Sequence, residues 1–274
     1  MMAEIEKNWA ACIVYYQDQD SILSLLNSLE NQTFKPNEVF IADNNSKKLL
    51  QLDKYSFSVF ISRLDDNKGF ASGANVAIKA AITKGHSNLM LLSQDVLLDT
   101  DSSERMLKEL ADNDGIVFPT MWNRKNNVIF SKGGKVNKYL GSIKLSTSNA
   151  PLEPDWADGS CLMFSKNTYE AAEGFYENFF MYFEDVDFCL KAKNLGFKIS
   201  HVETKASQNP NGPSSYLRSR NSTLLARRTK SRLFKISITK RNIFGVLLLI
   251  MKFRFHESSQ RLRGIHAGWR EPIV

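Results

Sequence analysis

Apolar and polar positions change period several times along the 274 residues, and each change predicts an element. The unbroken apolar run "ACIVYY" (11–16) predicts a short buried strand, and "SILSLLNSLENQ" (21–32) repeats apolar residues at helical spacing. "EVFIAD" (38–43) reads as a strand ending in an acid, followed by the turn-like "NNSKK", and "FSVFISRL" (57–64) as a third strand. "DDNKGFASGANVAIKAAITKG" predicts a loop and then a helix capped near Gly85, and "NLMLLSQD" (88–95) a fourth strand, again ending in an acid. Strands alternating with helices imply βαβ units and an α/β, doubly wound, mostly parallel sheet. Ligands of such sheets bind outside the carboxyl ends of the strands. Asp43 and Asp95 both fall on that edge, so two acids from separate strands are expected at one crevice.

After residue 115 the texture shifts. "GIVFPTMW", "NNVIFSKGGKV", "LGSIKLS" and "GSCLMFS" predict shorter strands joined by glycine turns, a smaller mixed or antiparallel section. Next comes "FFMYFEDVDFCLKAKNLGF" (179–197), in which Glu184, Asp185 and Asp187 follow five aromatic or apolar residues. The structural reading is a helix start, because carboxylates meet the unpaired N–H groups and positive dipole end of a first turn. Val186, Cys189 and Leu190 then share a face, and Gly196 sits where a C-terminal cap belongs. A strand "FKISHVE" (197–203), a polar loop "TKASQNPNGPSS" and a largely helical segment from Tyr216 complete the chain.

Composition adds less than charge does. With 43% hydrophobic and 24% charged residues the chain is an ordinary globular protein. Cys12, Cys161 and Cys189 lack CxxC spacing and read as reduced core residues of a cytoplasmic protein, not as zinc ligands. The opening "MMAEIEKNWA" has no signal-peptide pattern. The formal charge of +7 is uneven: from Leu217 onward 14 Lys+Arg face 2 Asp+Glu, while residues 1–216 carry a net −5. A basic tail on a mildly acidic body seeks a polyanion. Nucleic acid is set aside, because no RNA-binding motif accompanies the charges and no aromatics interleave with them. Within the tail, "IFGVLLLIM" (243–251) is nine residues long, far below the roughly 20 needed to span a bilayer. Flanked by Lys240, Arg241, Lys252 and Arg254, it suits a helix lying in a membrane interface, or one packed on the body or on a second subunit. Both readings stay open at this point.

Chemistry has few unambiguous carriers. DxD spacing occurs at Asp18–Asp20, Asp99–Asp101 and Asp185–Asp187, so spacing alone discriminates little. Position favours Asp95, at a strand's carboxyl end, where Mg²⁺ could bridge to a diphosphate; the alternative is that it caps its loop. "NKGFASGAN" (67–75) is a glycine-bearing backbone open to phosphate or sugar at a helix start. Gly69 and Gly73 do not make a GxGxxG fingerprint, which argues against a dinucleotide-binding dehydrogenase. His86, His201, His256 and His266 show no ligand spacing, and neither a GxSxG elbow nor a Walker A loop is present.

Taken in order, "IVYYQDQDSILSLLNSLENQTFKPNEVFIADNNS", "NKGFASGAN", "LLSQDV", "WADGSCLMFSK" and "GFYENFFMYFEDVDFCLKAKNLGFKI" resemble the family 2 glycosyltransferases. The likeness is to the rhamnosyltransferase-like and galactofuranosyltransferase-like enzymes of bacterial surface polysaccharides. It runs from about residue 10 to about residue 230. The resemblance implies a GT-A fold, with a catalytic domain over 1–215 (donor half about 1–115, acceptor half about 116–215) and a basic helical extension over 216–274. It implies an inverting transfer from a nucleotide-diphosphate sugar to a glycan or lipid-linked saccharide, with the tail at the cytoplasmic face of the inner membrane. On the family pattern, Tyr15, Asp43 and Asn45 face the nucleotide, while Asn67, Gly69, Asn75 and Gln94 line the donor site. Asp95 holds Mg²⁺ or Mn²⁺, and Trp156, Asp158 and Gly159 face the acceptor. Glu184 and Asp185 form the acidic pair, with Asp185 as the base that removes a proton from the attacking hydroxyl. Partial desolvation beside aromatic walls raises such a carboxylate's basicity. Asp187 is expected to serve the helix start or orient its neighbour. Two features depart from the pattern: Gln208 stands where many relatives place a histidine ligand, and "SQD" has one acid where some have two. "YLRSRN" matches the family's Tyr-Arg-Asn region, so Arg218 or Arg220 could neutralise diphosphate in place of metal charge.

The alternatives are a sugar-phosphate nucleotidyltransferase and a catalytically inactive glycan-binding relative. The first expects a glycine-rich basic loop after strand one, and "VYYQDQDS" has neither glycine nor base; against the second, Glu184 and Asp185 are intact.

Overall fold

All seven residues of β1 (Trp9–Tyr15) are buried, as a strand covered on both faces requires. The structure, a computed structural model, describes residues 8–148, 153–210 and 212–273. After β1 come α1 (Gln19–Glu30), β2 (Glu38–Asp43), β3 (Ser58–Arg63), α2 (Gly69–Thr83), β4 (Asn88–Ser93), β5 (Leu97–Leu98) and α3 (Ser102–Asp112). The middle holds β6 (Gly115–Asn123), β7 (Val128–Ser131), β8 (Gly134–Asn137), β9 (Ser142–Leu145), β10 (Cys161–Ser165) and α4 (Lys166–Ala171). The chain then forms α5 (Glu184–Asn194), β11 (Lys198–Gln208), α6 (Ser215–Arg228), α7 (Arg232–Met251) and α8 (Phe255–Arg270).

The main sheet runs β3-β2-β1-β4-β10-β6-β11-β5, with β7 on β6, and β8–β9 form a separate hairpin. The first four strands are parallel, as is β6 with β11, while β10 runs antiparallel between β4 and β6. The parallel half therefore presents the carboxyl ends of β1, β2 and β4 on one edge. One face of the sheet is covered by α1 and α3 through Ile22, Leu25, Leu29, Met106 and Leu107. The other is covered by α2 and α5, and the same core takes in Leu224 and Leu225 of α6 with Phe234 and Ile238 of α7. The basic segment is thus continuous with the body's core. Within it α8 lies close on α6: a Cβ at Gly264 would meet Ser219 Oγ at 2.2 Å, and one at Gly268 would meet the Arg220 carbonyl at 2.4 Å.

One expectation changes, and two features are added to it. Residues 204–208, read as loop, continue β11, so Gln208 ends a strand paired with β6. Residues 102–112 form a helix that buries Met106, Leu107 and Leu110. All three DxD spacings lie at helix starts: Asp18 caps α1, accepting from Ser21 N at 3.2 Å, Asp101 precedes α3, and Asp185 and Asp187 fall in the first turn of α5.

Candidate functional site

A cavity of about 470 Å³ opens between the end of β4, the end of β11, the β8–β9 hairpin and the start of α5. It is lined by Asp95, Trp156, Asp158, Gly159, Glu184, Asp185, Gln208 and Arg218 among the residues singled out by sequence. Tyr182 and Phe183 form the aromatic wall expected beside the acidic pair, and Phe70, Phe130, Ile143 and Leu145 extend it with residues that sequence reasoning did not assemble. Most of these residues come from loops or hairpins distant in sequence, so no periodicity groups them.

The acidic pair opens α5 as expected, but the lead-in is unusual. Phe180, Tyr182 and Phe183 all have positive φ (64°, 70° and 76°), a region that bulky residues rarely occupy. Each such residue costs on the order of 1–3 kcal/mol and persists only where its surroundings over-determine it. Here the surroundings include Asn221 of α6, a fully buried side chain. Its Nδ2 donates to the carbonyls of Phe179, Met181 and Tyr182 at 3.0, 2.8 and 2.9 Å. The strained turn delivers Glu184 and Asp185 to the cavity wall. Asp185 accepts the backbone N–H of Gly159 at 3.0 Å and that of Val186 at 2.8 Å. Burial, with the neighbouring Asp158 charge adding to it, pushes the Asp185 carboxyl up to about 7 against the opposing pull of those amides. Burial and the Asp185 charge raise Glu184 well above the usual carboxylate range, and its Oε2 is buried without a hydrogen-bond partner. Burial also raises Asp158, whose Oδ1 accepts from Ser160 N at 3.1 Å.

Asp187 departs from its expected role. Its side chain is not turned to the helix N–H groups or to its acidic neighbour but accepts from Arg228 Nε at 3.0 Å in a buried ion pair with α6. Arg228 also lies 3.5 Å from the Tyr176 ring centre.

Asp95 reaches the same cavity from the end of β4, and burial raises its carboxyl while Arg124 opposes the shift. Arg124, which no motif or spacing marks, donates to the Asp95 and Ser207 carbonyls and ties the end of β4 to β11. Gln208 donates from Nε2 to Ser160 Oγ at 2.7 Å, which makes its Oε1 the atom a cation would use. Among the described residues no three His, Cys, Asp or Glu side chains gather into a metal cluster. One carboxylate and one amide oxygen fit a hard divalent cation whose other ligands are substrate phosphates and water.

Other sequence-selected residues lie outside this cavity. Asp43 is buried at the end of β2, accepting from Ser46 N at 2.8 Å and facing Arg63 at 3.8 Å. Tyr15 is buried beside it, and Asn45, at φ 61°, donates to the Asp65 carbonyl at 2.8 Å. Gln94 grips the Tyr16 backbone at both ends of its amide, 2.7 and 3.2 Å. Asn67 Oδ1 accepts from Gly69 N at 3.0 Å.

The glycine-bearing helix start is not open to phosphate. A Cβ at Gly69 (φ +87°) would lie 2.2 Å from the Phe180 carbonyl, so the chain itself makes the close approach. Asn75 is a strut: it donates to the Phe175 carbonyl and Glu177 Oε1 and accepts from Tyr169 Oη and Phe175 N, all within 3.0 Å. These four bonds fill its amide, leaving no capacity for a donor. Arg220 pairs with Glu271 at 2.8 Å and donates to Asn221 Oδ1 at 2.7 Å, away from the cavity that Arg218 lines.

A family model described as Glycosyl transferase family 2 matches residues 10–196. The chain is 25% identical over 200 residues to the low-salt glycan biosynthesis hexosyltransferase Agl10 of Haloferax volcanii, covering 70% of this chain and 63% of that protein. It is 22% identical over 199 residues to the dTDP-rhamnosyl transferase RfbF of Shigella flexneri, covering 70% and 64%. The chain therefore spans a little under two thirds of the length of these curated relatives. The crystal structure of GalNAc-T7 with UDP, GalNAc and Mn²⁺ matches 80% of this chain and 48% of that one, with a TM-score of 0.61 at 13% identity. At that identity the likeness is one of fold, and the fold is GT-A, with a helical C-terminal region.

Proposed function

The chain belongs to glycosyl transferase family 2, and from that premise we propose that it is an inverting hexosyltransferase using a nucleoside-diphosphate sugar. The sugar is rhamnose or galactofuranose, carried by dTDP or UDP. The acceptor is a glycan, lipid-linked, at the cytoplasmic face of the membrane, and the product serves cell-surface polysaccharide. Relatives named for hexosyl and dTDP-rhamnosyl transfer support the sugar class.

One observation carries this reading: the Asp185 carboxylate, held by two backbone amides and raised to about 7, shares a cavity with Asp95 at the sheet's carboxyl edge. A base of that strength removes the proton from an acceptor hydroxyl near neutral pH. As that oxygen bonds to the anomeric carbon, the bond to the nucleoside diphosphate breaks on the opposite face, which inverts the centre. Trp156 and the apolar wall receive the acceptor sugar and keep out water that would hydrolyse the donor. A divalent cation, when bound, supplies positive charge to the diphosphate, with Asp95 and Gln208 Oε1 as its protein ligands. Arg218 lines the same cavity and adds a fixed charge. Asp43, paired with Arg63, organises the loop at the base end beside Tyr15 and Asn45. Asn67 fixes the turn before α2 and Gln94 the turn after β4.

Calorimetric titration with UDP, dTDP and GDP, each with Mn²⁺ or Mg²⁺ and then with a chelator, tests the reading. Metal-dependent binding of one nucleotide is expected and identifies the donor. Binding indifferent to the chelator assigns the diphosphate to arginine. Binding of none of the three overturns the proposal in favour of an inactive glycan-binding relative.

A further inference from the structure

The helix α7 buries only one of its faces. Phe234, Ile238, Asn242 and Val246, four apart, turn inward. The opposite face exposes Leu233, Ile236, Ile243, Phe244, Leu247 and Met251. Past its end Phe253 is 82% exposed, with Phe255 open beside it. Exposed Lys240 divides this face, yet apolar side chains recur along about 30 Å of it, a stripe uncommon on a surface with no partner.

The stripe continues onto the β8–β9 hairpin. Ser237 donates to the Tyr139 carbonyl at 2.7 Å and Arg241 to the Gly141 carbonyl at 3.0 Å, so the hairpin's turn is fastened to α7. At that turn Tyr139 and Leu140 are 78% and 70% exposed. The same hairpin supplies Ile143 and Leu145 to the wall of the cavity. One structural unit thus carries both the exposed apolar surface and part of the cavity's wall.

Charge selects the occupant. Residues 232–254 contain six Lys+Arg and no Asp or Glu. A second copy of this chain packed on the stripe would set those cations against an identical set. An anionic bilayer matches them, with headgroups at Lys240 and Lys252 and acyl chains beneath the apolar side chains. Among the described residues no helix is long and apolar enough to cross a membrane, which leaves a helix lying in the interface.

We propose that the outer face of α7, extended by Phe253, Phe255 and the Tyr139–Leu140 turn, docks on an anionic lipid surface and sets the cavity's hairpin wall against it. The purpose of the contact rests on the lipid-linked acceptor; the contact itself does not.

The test is co-sedimentation of the full chain with vesicles of phosphatidylcholine plus phosphatidylglycerol against phosphatidylcholine alone, at low and high salt. Binding at least about tenfold tighter to the anionic vesicles, weakened by salt, is expected. The triple variant Phe244→Ser, Leu247→Ser, Phe253→Ser and the double variant Lys240→Glu, Lys252→Glu should each lose about tenfold or more. Retained nucleotide affinity shows that the variants are folded. No binding to anionic vesicles, or equal binding by both variants, overturns the proposal. So does a lipid-free dimer in sedimentation velocity that the triple variant dissolves, because a second copy would then own the face. Vesicle binding by a protein that binds no nucleotide keeps the docking face and rejects the transferase; nucleotide binding without vesicle binding does the reverse.

Discussion

Asp185 accepts the backbone N–H of Gly159 at 3.0 Å, and the two residues are packed so closely that a Cβ on Gly159 would sit 2.9 Å from Asp185 Cβ. The contact joins the segment after the β8–β9 hairpin to the start of α5 and fixes where the proposed base points. Gly159→Ala must push the carboxylate aside, because the contact is with the stem of the side chain and not with a flexible tip. Displacement of a reacting group by even 1 Å can cost about 100-fold in rate. Steady-state kinetics of this variant should show a fall of that order in kcat, with nucleotide affinity changed less than about twofold because the diphosphate end is untouched.

The burial that raises Asp185 also sets a pH dependence with two opposite signs. Transfer needs the ionised carboxylate, so kcat/KM should rise with pH and level off above about 7. Stability runs the other way. An unfolded aspartate ionises near pH 4, so between there and about 7 the native state holds a proton that the unfolded state has released. The protein therefore loses stability as pH rises through that window, by at most about 1.4 kcal/mol per pH unit for each such group. Glu184, raised for the same reason, adds to the slope. Urea unfolding at pH 5 and pH 8 measures it. Asp185→Asn should flatten part of the slope, abolish the rise in rate and lower kcat by about 10²–10⁴. Equal slopes in wild type and variant would mean that Asp185 is not the buried acid inferred here.

Sequence pattern located the donor half of the fold more readily than the site. β1, β2 and β4 are covered on both faces, so they stand out as apolar runs bounded by turns. The helix α3 escaped because its buried face rests on only three large apolar residues, Met106, Leu107 and Leu110. The end of β11 escaped because its polar residues pair with β6 through the backbone. At the site, Asp95 after the end of β4 and Asp185 at the start of α5 lie at boundaries that pattern marks, whereas Asp158 is singled out only by the resemblance to the family. Gly69 opens α2 and Asn75 lies within it, yet their partners are Phe180 and Phe175, about a hundred residues away, and no local pattern shows which way they turn. Arg124 and Asn221 act on backbone carbonyls of distant segments, an interaction that leaves no signature in side-chain spacing.

The proposed cation site has a thin protein contribution, and this shapes its response to substitution. With Asp95 and Gln208 as its proposed ligands among the described residues, affinity for the metal alone should be weak and should strengthen when nucleoside diphosphate supplies phosphate oxygens. Isothermal titration with Mn²⁺ in the absence and presence of the nucleotide should show that coupling, and by linkage the nucleotide should gain affinity by the same factor. Asp95→Asn should remove most of it. Gln208→His, which replaces an amide by a stronger ligand, should tighten Mn²⁺ binding if β11 presents the side chain to the same point. Mn²⁺ binding equally tight without nucleotide would contradict a substrate-completed site.

The Asn221 amide makes the most distinctive demand on the fold, because one side chain holds three carbonyls of a turn whose aromatics occupy left-handed backbone. The Phe179 and Met181 carbonyls flank Phe180 and the third belongs to Tyr182 itself, so the amide closes the turn as a clasp would. Removing the donor leaves buried carbonyls unpaired and lets Tyr182 and Phe183 relax toward ordinary backbone, which rotates the first turn of α5. Asn221→Ala should lower stability by roughly 2 kcal/mol, the cost of leaving buried acceptors unsatisfied. A merely structural role would stop there. A positioning role adds a fall in kcat of about tenfold or more, measured where the variant is fully folded, with nucleotide affinity intact. Asn221→Asp separates shape from hydrogen bonding: it keeps the volume but turns the donor into an acceptor facing three carbonyls. It should therefore be at least as damaging as Asn221→Ala, and a fully active Asn221→Asp enzyme would show that the clasp does not set the acidic pair.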